Sequence, residues 1–342
     1  MAVTWQNNSE ISYEQWLHLR NNSIGASETS VILFGSKYSS NLEIFYQKVG
    51  APRQNFENLR MYIGKETEDI SAYSLWQYYD GYKEQSIVDN ARKKTPVKKC
   101  INLNATVFND KYPQLSATPD RQIQPFGKYE GRGYGFLEIK NTQSWVLSSY
   151  DTGLPTENVV QLCQQLMLGE VDYGELFYFI DNMRCQTHEI NRSDMAQLEE
   201  TIIAYTEPFW ANVLKARPIY NQMYEHQRNT NMRGVAECQK ALIELEPPVQ
   251  NTIGYKTFLT QRFQDKMQGV GIIPGKPDQL ITARNHKSLS KQIEDLEIKQ
   301  RALEIELKMA IGDKSLLDFG KDGKVSWVEN KNGTRIFKNN IK

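Results

Sequence analysis

Two short stretches, Thr118-Pro119-Asp120 and Glu138-Ile139-Lys140, decide how this chain is read. Residues 134–140 alternate as a strand does, and successive side chains of a strand point to opposite faces. Glu138 and Lys140 therefore share a face, and Ile139 turns to the core. Asp120 closes the preceding strand pattern, residues 114–118. Two carboxylates brought together can chelate a divalent cation, and a lysine beside them can balance negative charge on an attacking hydroxide. An acid-apolar-lysine tripeptide also occurs on ordinary half-solvated strands, so its meaning depends on its surroundings.

On the C-terminal side, Pro155 opens a helix. Val159, Leu162, Cys163, Leu166 and Met167 form its apolar face, with Glu157, Gln161, Gln164 and Gln165 opposite. Residues 176–180 then pair through Asp181-Asn182 with residues 184–190, and a long helix covers 193–214. On the N-terminal side, Ser12 and Gln15 form a capping box that opens a helix through Trp16 and Leu19 to Arg20. Helices follow over 26–34, stopped by Gly35, and over 41–48. Gly64-Lys65-Glu66-Thr67-Glu68 leads into a longer helix through Ile70, Tyr73 and Tyr78, ending near Gly81. Residues 100–108 read as a strand, and Gly127, Gly131 and Gly133 mark a hairpin between strands 114–118 and 134–140. This order of helices and strands predicts an α/β fold, a mixed sheet flanked by helices.

Beyond Ile219 the texture changes. Residues 247–267 and 289–309 read as an antiparallel helical hairpin. Asp322-Gly323 and Asn332-Gly333 mark turns of a small terminal sheet. The expected division is 1–220 and 221–342.

Composition bounds the partners. In 342 residues, 41 basic and 41 acidic side chains cancel, so any nucleic-acid face is a local patch balanced elsewhere. The basic run Arg92-Lys93-Lys94 with Lys98-Lys99 reads as a solvent-facing loop, and the lysine-rich terminal sheet as a solvated tail. No run approaches a membrane span, and residues 1–8 lack the basic and apolar regions of a signal peptide. Four cysteines and four histidines are scattered, with no C-x-x-C pair, which argues against a zinc or iron–sulfur site and for reduced, buried thiols in a cytoplasmic protein.

Five motifs stand in a definite order: Trp16-x-x-Leu19-Arg20 followed by Ile24-x-Ala26-Ser27-Glu28; Gly64-x-x-x-Glu68; Thr118-Pro119-Asp120; Glu138-Ile139-Lys140; and Pro155 leading to Gln161. Over about residues 12–217 this resembles the YqaJ/lambda-exonuclease family of phage recombination nucleases, within the PD-(D/E)XK superfamily. The C-terminal helices and the strand of Trp327 also look like the tail of YqaJ-type members. The resemblance implies a restriction-endonuclease-like fold and a magnesium-dependent deoxyribonuclease, with manganese as a substitute. Asp120 and Glu138 would be metal ligands, helped by the Ile139 carbonyl, and Glu68 would be a third acid for a second metal. Lys140 would activate the attacking water, and Gln161 would orient the nucleophile or the lysine. Arg20 and Ser27, with Thr118 in place of a serine, match positions that bind the 5′-phosphate of the degraded strand.

Two departures touch that phosphate site. Val146 stands where the lambda enzyme has a second arginine, and Asn158 replaces an aromatic residue. The implied activity is 5′→3′ degradation of duplex DNA ends in the bacterial host cytoplasm, leaving 3′ single-stranded tails for recombination by a single-strand annealing protein. Ring-shaped homo-oligomers occur among the resembling enzymes. The rival readings are an endonuclease or single-strand nuclease on the same fold, and a non-catalytic DNA- or protein-binding module.

Overall fold

The computed structural model describes residues 2–52, 59–150, 154–264, 274–330 and 332–341. The chain begins with β1 (Val3–Asn7), α1 (Tyr13–Asn21), β2 (Ile24–Gly25), α2 (Ala26–Phe34), α3 (Asn41–Val49), α4 (Leu59–Asp69) and α5 (Gln85–Lys93). Next come β3 (Cys100–Ile101), β4 (Ala105–Asn109), β5 (Leu115–Ser116), β6 (Arg121–Ile123), β7 (Gly135–Thr142), α6 (Ser144–Leu147) and α7 (Thr156–Gly169). β8 (Tyr173–Ile180), β9 (Arg184–Asn191), α8 (Ala196–Arg228), α9 (Met232–Ile243) and α10 (Ile253–Gln264) complete the first compact unit, which runs to Lys266. The second, Met267–Lys342, holds α11 (Pro277–Ile311), β10 (Leu316–Asp318), β11 (Gly323–Glu329) and β12 (Arg335–Ile341).

The central sheet has the order β3-β6-β7-β8-β9. Its β7–β8 pair is parallel and the other pairs are antiparallel. A parallel pair needs a crossover, and α7 supplies it. The helix lies on the sheet with Leu162, Leu166 and Met167 fully buried, each contributing about 1.5–3 kcal/mol by leaving water. Its approach depends on Gly174 of β8, where an added Cβ would stand 2.8 Å from Leu162 Cδ1 and from the Phe136 carbonyl oxygen. The β8–β9 hairpin turns on Asp181 and Asn182 with φ of 52° and 57°, the double positive φ of the two-residue turns that suit twisted strands.

Several expected elements take a different form. The strand expected over 100–108 is broken at Asn104, whose φ of 42° is left-handed. Its halves join different sheets, β3 pairing with β6 and β4 with β1. The hairpin around Gly127–Gly133 joins β7 to the short β6, while β5 pairs in parallel with β2. After Asp69 the expected helix widens into a π turn and ends in a 3-10 turn. α8 continues past Leu214 to Arg228, through Pro208 and Pro218, and buries Ala216 and Tyr220 in the main core.

The expected 247–267/289–309 hairpin is divided between the two units. α10 packs into the first, with Tyr255 buried and the Gly254 amide donating to the Ser36 carbonyl at 3.0 Å. The first unit thus extends beyond the expected boundary at 220. In the second unit α11 carries a three-stranded antiparallel sheet whose Trp327 ring stacks under Arg335, 4.0 Å from guanidinium to centroid. All four cysteines are buried and unpaired, and no described helix is long and apolar enough to cross a membrane.

The basic run divides as well. Arg92 and Lys93 end α5, but Lys98 is buried and its Nζ lies 3.1 Å from Glu175. Glu175, fully buried on β8, also accepts from Lys128 Nζ at 2.9 Å, from Trp76 Nε1 and from the Tyr129 hydroxyl. Burial opposes its charge, but the two lysines and Tyr129 outweigh that and hold its carboxyl at about 2. A carboxyl depressed from 4.5 to about 2 contributes on the order of 3 kcal/mol, fully present above pH 4.5 and lost as pH falls toward 2. Glu175→Gln also strands the Lys98 charge. It should lower unfolding free energy at pH 7 by about 3–5 kcal/mol, with the gap to wild type narrowing below pH 4.5. Urea unfolding across pH tests this; a gap that is small, or constant with pH, contradicts it.

Candidate active site

Glu138 lies on β7, the middle strand of the sheet, at 1% exposure. Its Oε1 accepts from Lys140 Nζ at 2.5 Å and from Gln161 Nε2 at 2.6 Å, and its Oε2 accepts from Gln165 Nε2 at 2.6 Å. Lys140 Nζ also reaches Gln161 Oε1 at 3.1 Å. Alternation along β7 places the acid and lysine on one face, as the sequence predicts, and the α7 crossover covers that face. Gln161 and Gln165, one turn apart, both descend onto the carboxylate.

Asp120 immediately precedes β6. The register pairs Arg121 with Leu137, so one step outward Asp120 stands across from Glu138. The Ile139 amide donates to Asp120 Oδ2 at 2.7 Å. Burial, and then the charge of Glu138, push the Asp120 carboxyl well above the usual range, with Glu68 adding to the effect. Lys140 is held above its ordinary value: burial opposes its charge, but Glu138 and Asp120 outweigh that.

Glu68, on the last turn of α4, is drawn in through Arg121. That buried guanidinium binds Glu68 directly, reaches Asp69 Oδ1 at 2.5 Å, and stacks on Tyr73 at 5.4 Å. Among the described residues, no three His, Cys, Asp or Glu side chains stand close enough to hold a metal ion. Asp120 and Glu138 nonetheless form an all-oxygen donor pair suited to a hard divalent cation. The raised Asp120 carboxyl marks a place where the chain alone undercompensates negative charge. The residues therefore fit a cation held by two carboxylates. Glu68 adds its charge nearby while paired to Arg121.

Arg20, Ser27 and Thr118 come together with Trp16 and Gln161 around one cavity of about 150 Å³. Ser12 and Gln15 cap α1 reciprocally, as expected, and so aim Trp16 and Arg20 inward. The Arg20 guanidinium lies 5.3 Å from the Trp16 ring centre and 3.7 Å from Glu28 Oε1. Ser27 is in the first turn of α2, and Gly25, Ala26 and Ser27 of that helix start all line the cavity. Thr118 Oγ1 lies 3.0 Å from Thr106 Oγ1. Glu28 is buried with Lys48 Nζ at 2.5 Å; burial would raise its carboxyl, but Lys48 and Arg20 outweigh that and hold it low.

Sequence reasoning missed Gln165, Gln164 and Arg121. Gln164 and Gln165 fall on the polar side of α7, which reads as solvated, yet both are fully buried. Gln164 bonds the Ile24 and Ser116 carbonyls and Thr29, tying α7 to the β2–β5 pair. The available signal was Gln165 four residues after Gln161.

A model of the YqaJ-like viral recombinase domain matches residues 15–172. The match spans a little under half of the chain, and it is over residues 15–172 that the chain is similar to that family. It is 28% identical over 207 residues to the uncharacterized protein YqaJ of Bacillus subtilis (strain 168), a match spanning 59% of this chain and 57% of that protein. Among solved structures it is similar to an alkaline exonuclease (LHK-Exo) from Laribacter hongkongensis, at 17% identity and a TM-score of 0.43. The same exonuclease in complex with dAMP gives 18% and 0.44. Both matches cover 64% of this chain and 99% of that one.

The uncompensated charge at Asp120 has a consequence for stability. A carboxyl raised on folding stabilises fully below its unfolded value, near 4, and that stability is lost as pH rises through the folded value. Asp120→Asn should therefore raise the melting temperature in metal-free buffer at pH 7, with the gain vanishing near pH 4. Thermal unfolding with chelator at the two pH values checks this; no gain at pH 7 would mean Asp120 is fully compensated by the chain.

Proposed function

We propose that this protein is a magnesium-dependent deoxyribonuclease that degrades duplex DNA from its ends in the 5′→3′ direction. The convergence of Lys140 on Glu138 and Gln161, beside a cavity carrying Arg20, Ser27 and Thr118, is the observation that supports this reading most strongly. Asp120 and Glu138, with the Ile139 carbonyl, would hold the metal, and Glu68 would add a third acid. A bound divalent cation would neutralise the scissile phosphate and stabilise the attacking and leaving oxygens.

The chain's own groups supply the rest. Lys140, kept protonated by two carboxylates, stabilises negative charge gathering on the attacking oxygen. Gln161 fixes the lysine through its carbonyl oxygen and Glu138 through its amide, so neither drifts from the phosphate. Gln165 holds the other oxygen of Glu138. Arg20 and the first turn of α2 would bind a terminal 5′-phosphate by charge-assisted hydrogen bonds. The product with a 3′ single-stranded tail would suit a strand-annealing partner.

Asp120→Ala and Glu138→Ala should each abolish magnesium-dependent loss of linear duplex while leaving a folded protein. Lys140→Ala should cut turnover strongly with little loss of DNA binding, and Gln161→Ala should slow single-turnover cleavage by roughly tenfold or more. Near wild-type degradation by either acid variant would remove this site from consideration.

Terminal phosphate should also matter. Duplexes with a 5′-phosphate should be digested roughly ten- to a hundredfold faster than 5′-hydroxyl duplexes, the scale of one charge-assisted bond, and Arg20→Ala should erase the difference. Equal rates on both ends in the wild type would assign Arg20 to holding Glu28 rather than to the end of the DNA.

A further inference from the structure

Strand register sets Asp120 and Glu138 across from each other, but Glu68 comes from the last turn of a helix, and no sheet geometry holds it. α4 gives way to a π turn, Ile70–Leu75, directly after Asp69, a widening that is common where a helix carries function. A side chain at such an end is free to turn to solvent. Asp69 largely does so, with 74% of its side chain exposed, whereas Glu68 is at 32%. Arg121 accounts for the difference. Its Nη1 donates to Glu68 Oε1 and also to the Asp120 carbonyl oxygen, the latter at 2.5 Å, and its Nη2 reaches Asp69 Oδ1. One nitrogen thus ties Glu68 to the backbone of Asp120.

The grip is not the one a buried guanidinium makes for its own satisfaction, which is a pair of parallel bonds to a single carboxylate. Arg121 spreads its two ends over successive acids, and its buried Nε is left without a hydrogen-bond partner among the described residues. A buried donor left unmade is costly and calls for an explanation; here the geometry serves the acids rather than the arginine. Tyr73, inside the π turn, lies 5.4 Å from the guanidinium and backs its plane. Asn141 of β7 donates to Thr67 Oγ1, so α4 is fastened to β7 as well as to β6 just before it ends.

We propose that Arg121 is a positioning residue: it fixes Oε1 of Glu68 and so presents the other oxygen to a divalent cation held by Asp120 and Glu138. The part played by the cation rests on the nuclease reading above. A third carboxylate brought toward two others is repelled by them, and the Arg121 charge offsets that repulsion at the one acid that a strand does not hold. Lysine cannot do the same. It is a point donor, whereas the planar guanidinium spans Glu68, Asp69 and a carbonyl oxygen at once. The opposite role, a clamp that withholds Glu68 from the cation, predicts tighter metal binding once Arg121 is replaced.

The test uses the full-length chain without DNA and takes Mn2+ as the probe, its free concentration read by electron paramagnetic resonance. Arg121→Lys should weaken Mn2+ binding about ten- to a hundredfold, the scale of losing a group that orients a metal ligand. Glu68→Gln should weaken it at least as much. The double variant should bind no more weakly than Glu68→Gln alone, because Arg121 acts through Glu68. A purely structural arginine would give no loss, or a loss that adds to that of Glu68→Gln. Melting in chelator shows whether Arg121→Lys is folded. If it is not, Tyr73→Leu takes its place in the same cycle, since it removes the ring behind the guanidinium and leaves the charge; it should weaken Mn2+ binding only where Glu68 is present.

Mn2+ binding by the replaced variant that is as tight as in wild type, or tighter, would overturn the proposal. So would losses that add in the double variant. Binding that follows the predicted cycle in a chain that cuts no DNA in magnesium would support Arg121 as the positioning residue and overturn only the nuclease reading. Magnesium-dependent cleavage by a variant whose Mn2+ binding is unchanged would do the reverse.

Discussion

A carboxylate almost wholly removed from water on the middle strand of a sheet has to be compensated, and the arrangement around Glu138 follows from that requirement. An ionised carboxylate in such a place is costly unless paired and hydrogen-bonded. Lys140, Gln161 and Gln165 supply what it needs from two elements. This obliges α7 to lie close on β7 and β8, which in turn requires Gly174 beneath Leu162. Gln164, on the same helix, then ties the β2–β5 pair and α2 to the sheet. The cavity with Arg20 and Ser27 is thereby fixed relative to Glu138.

Much of this was legible in the sequence because the signals were local. Period-two alternation set the faces of Glu138 and Lys140, the Ser12–Gln15 box set the start of α1, and Asp181-Asn182 set the β8–β9 turn. What stayed hidden depends on contacts distant in the chain. Gln164 and Gln165 look like a solvated helix face until the partners that make their burial tolerable are known, and those lie 27 to 140 residues away. Lys98 reads as part of a basic surface run, yet its counter-charge Glu175 is 77 residues on. Asn104 breaks an apparently continuous strand by one left-handed residue, which no alternation pattern reveals.

The two flanks of the centre differ in character. Toward α1 and α2 the lining carries Arg20, Ser27 and Thr118 beside Trp16 and Leu19. Toward Phe34, Tyr38 and Trp145 it is wider and aromatic.

The central claim, end-dependent 5′→3′ degradation at the Asp120–Glu138–Lys140 centre, is tested most directly with linear duplex labelled at either the 5′ or the 3′ end. Covalently closed duplex serves alongside it, and all three are followed in magnesium. The account predicts early release of the 5′ label in short products, late release of the 3′ label, and no loss of the closed substrate. Nicking of the closed duplex, or simultaneous release of both labels, would contradict it.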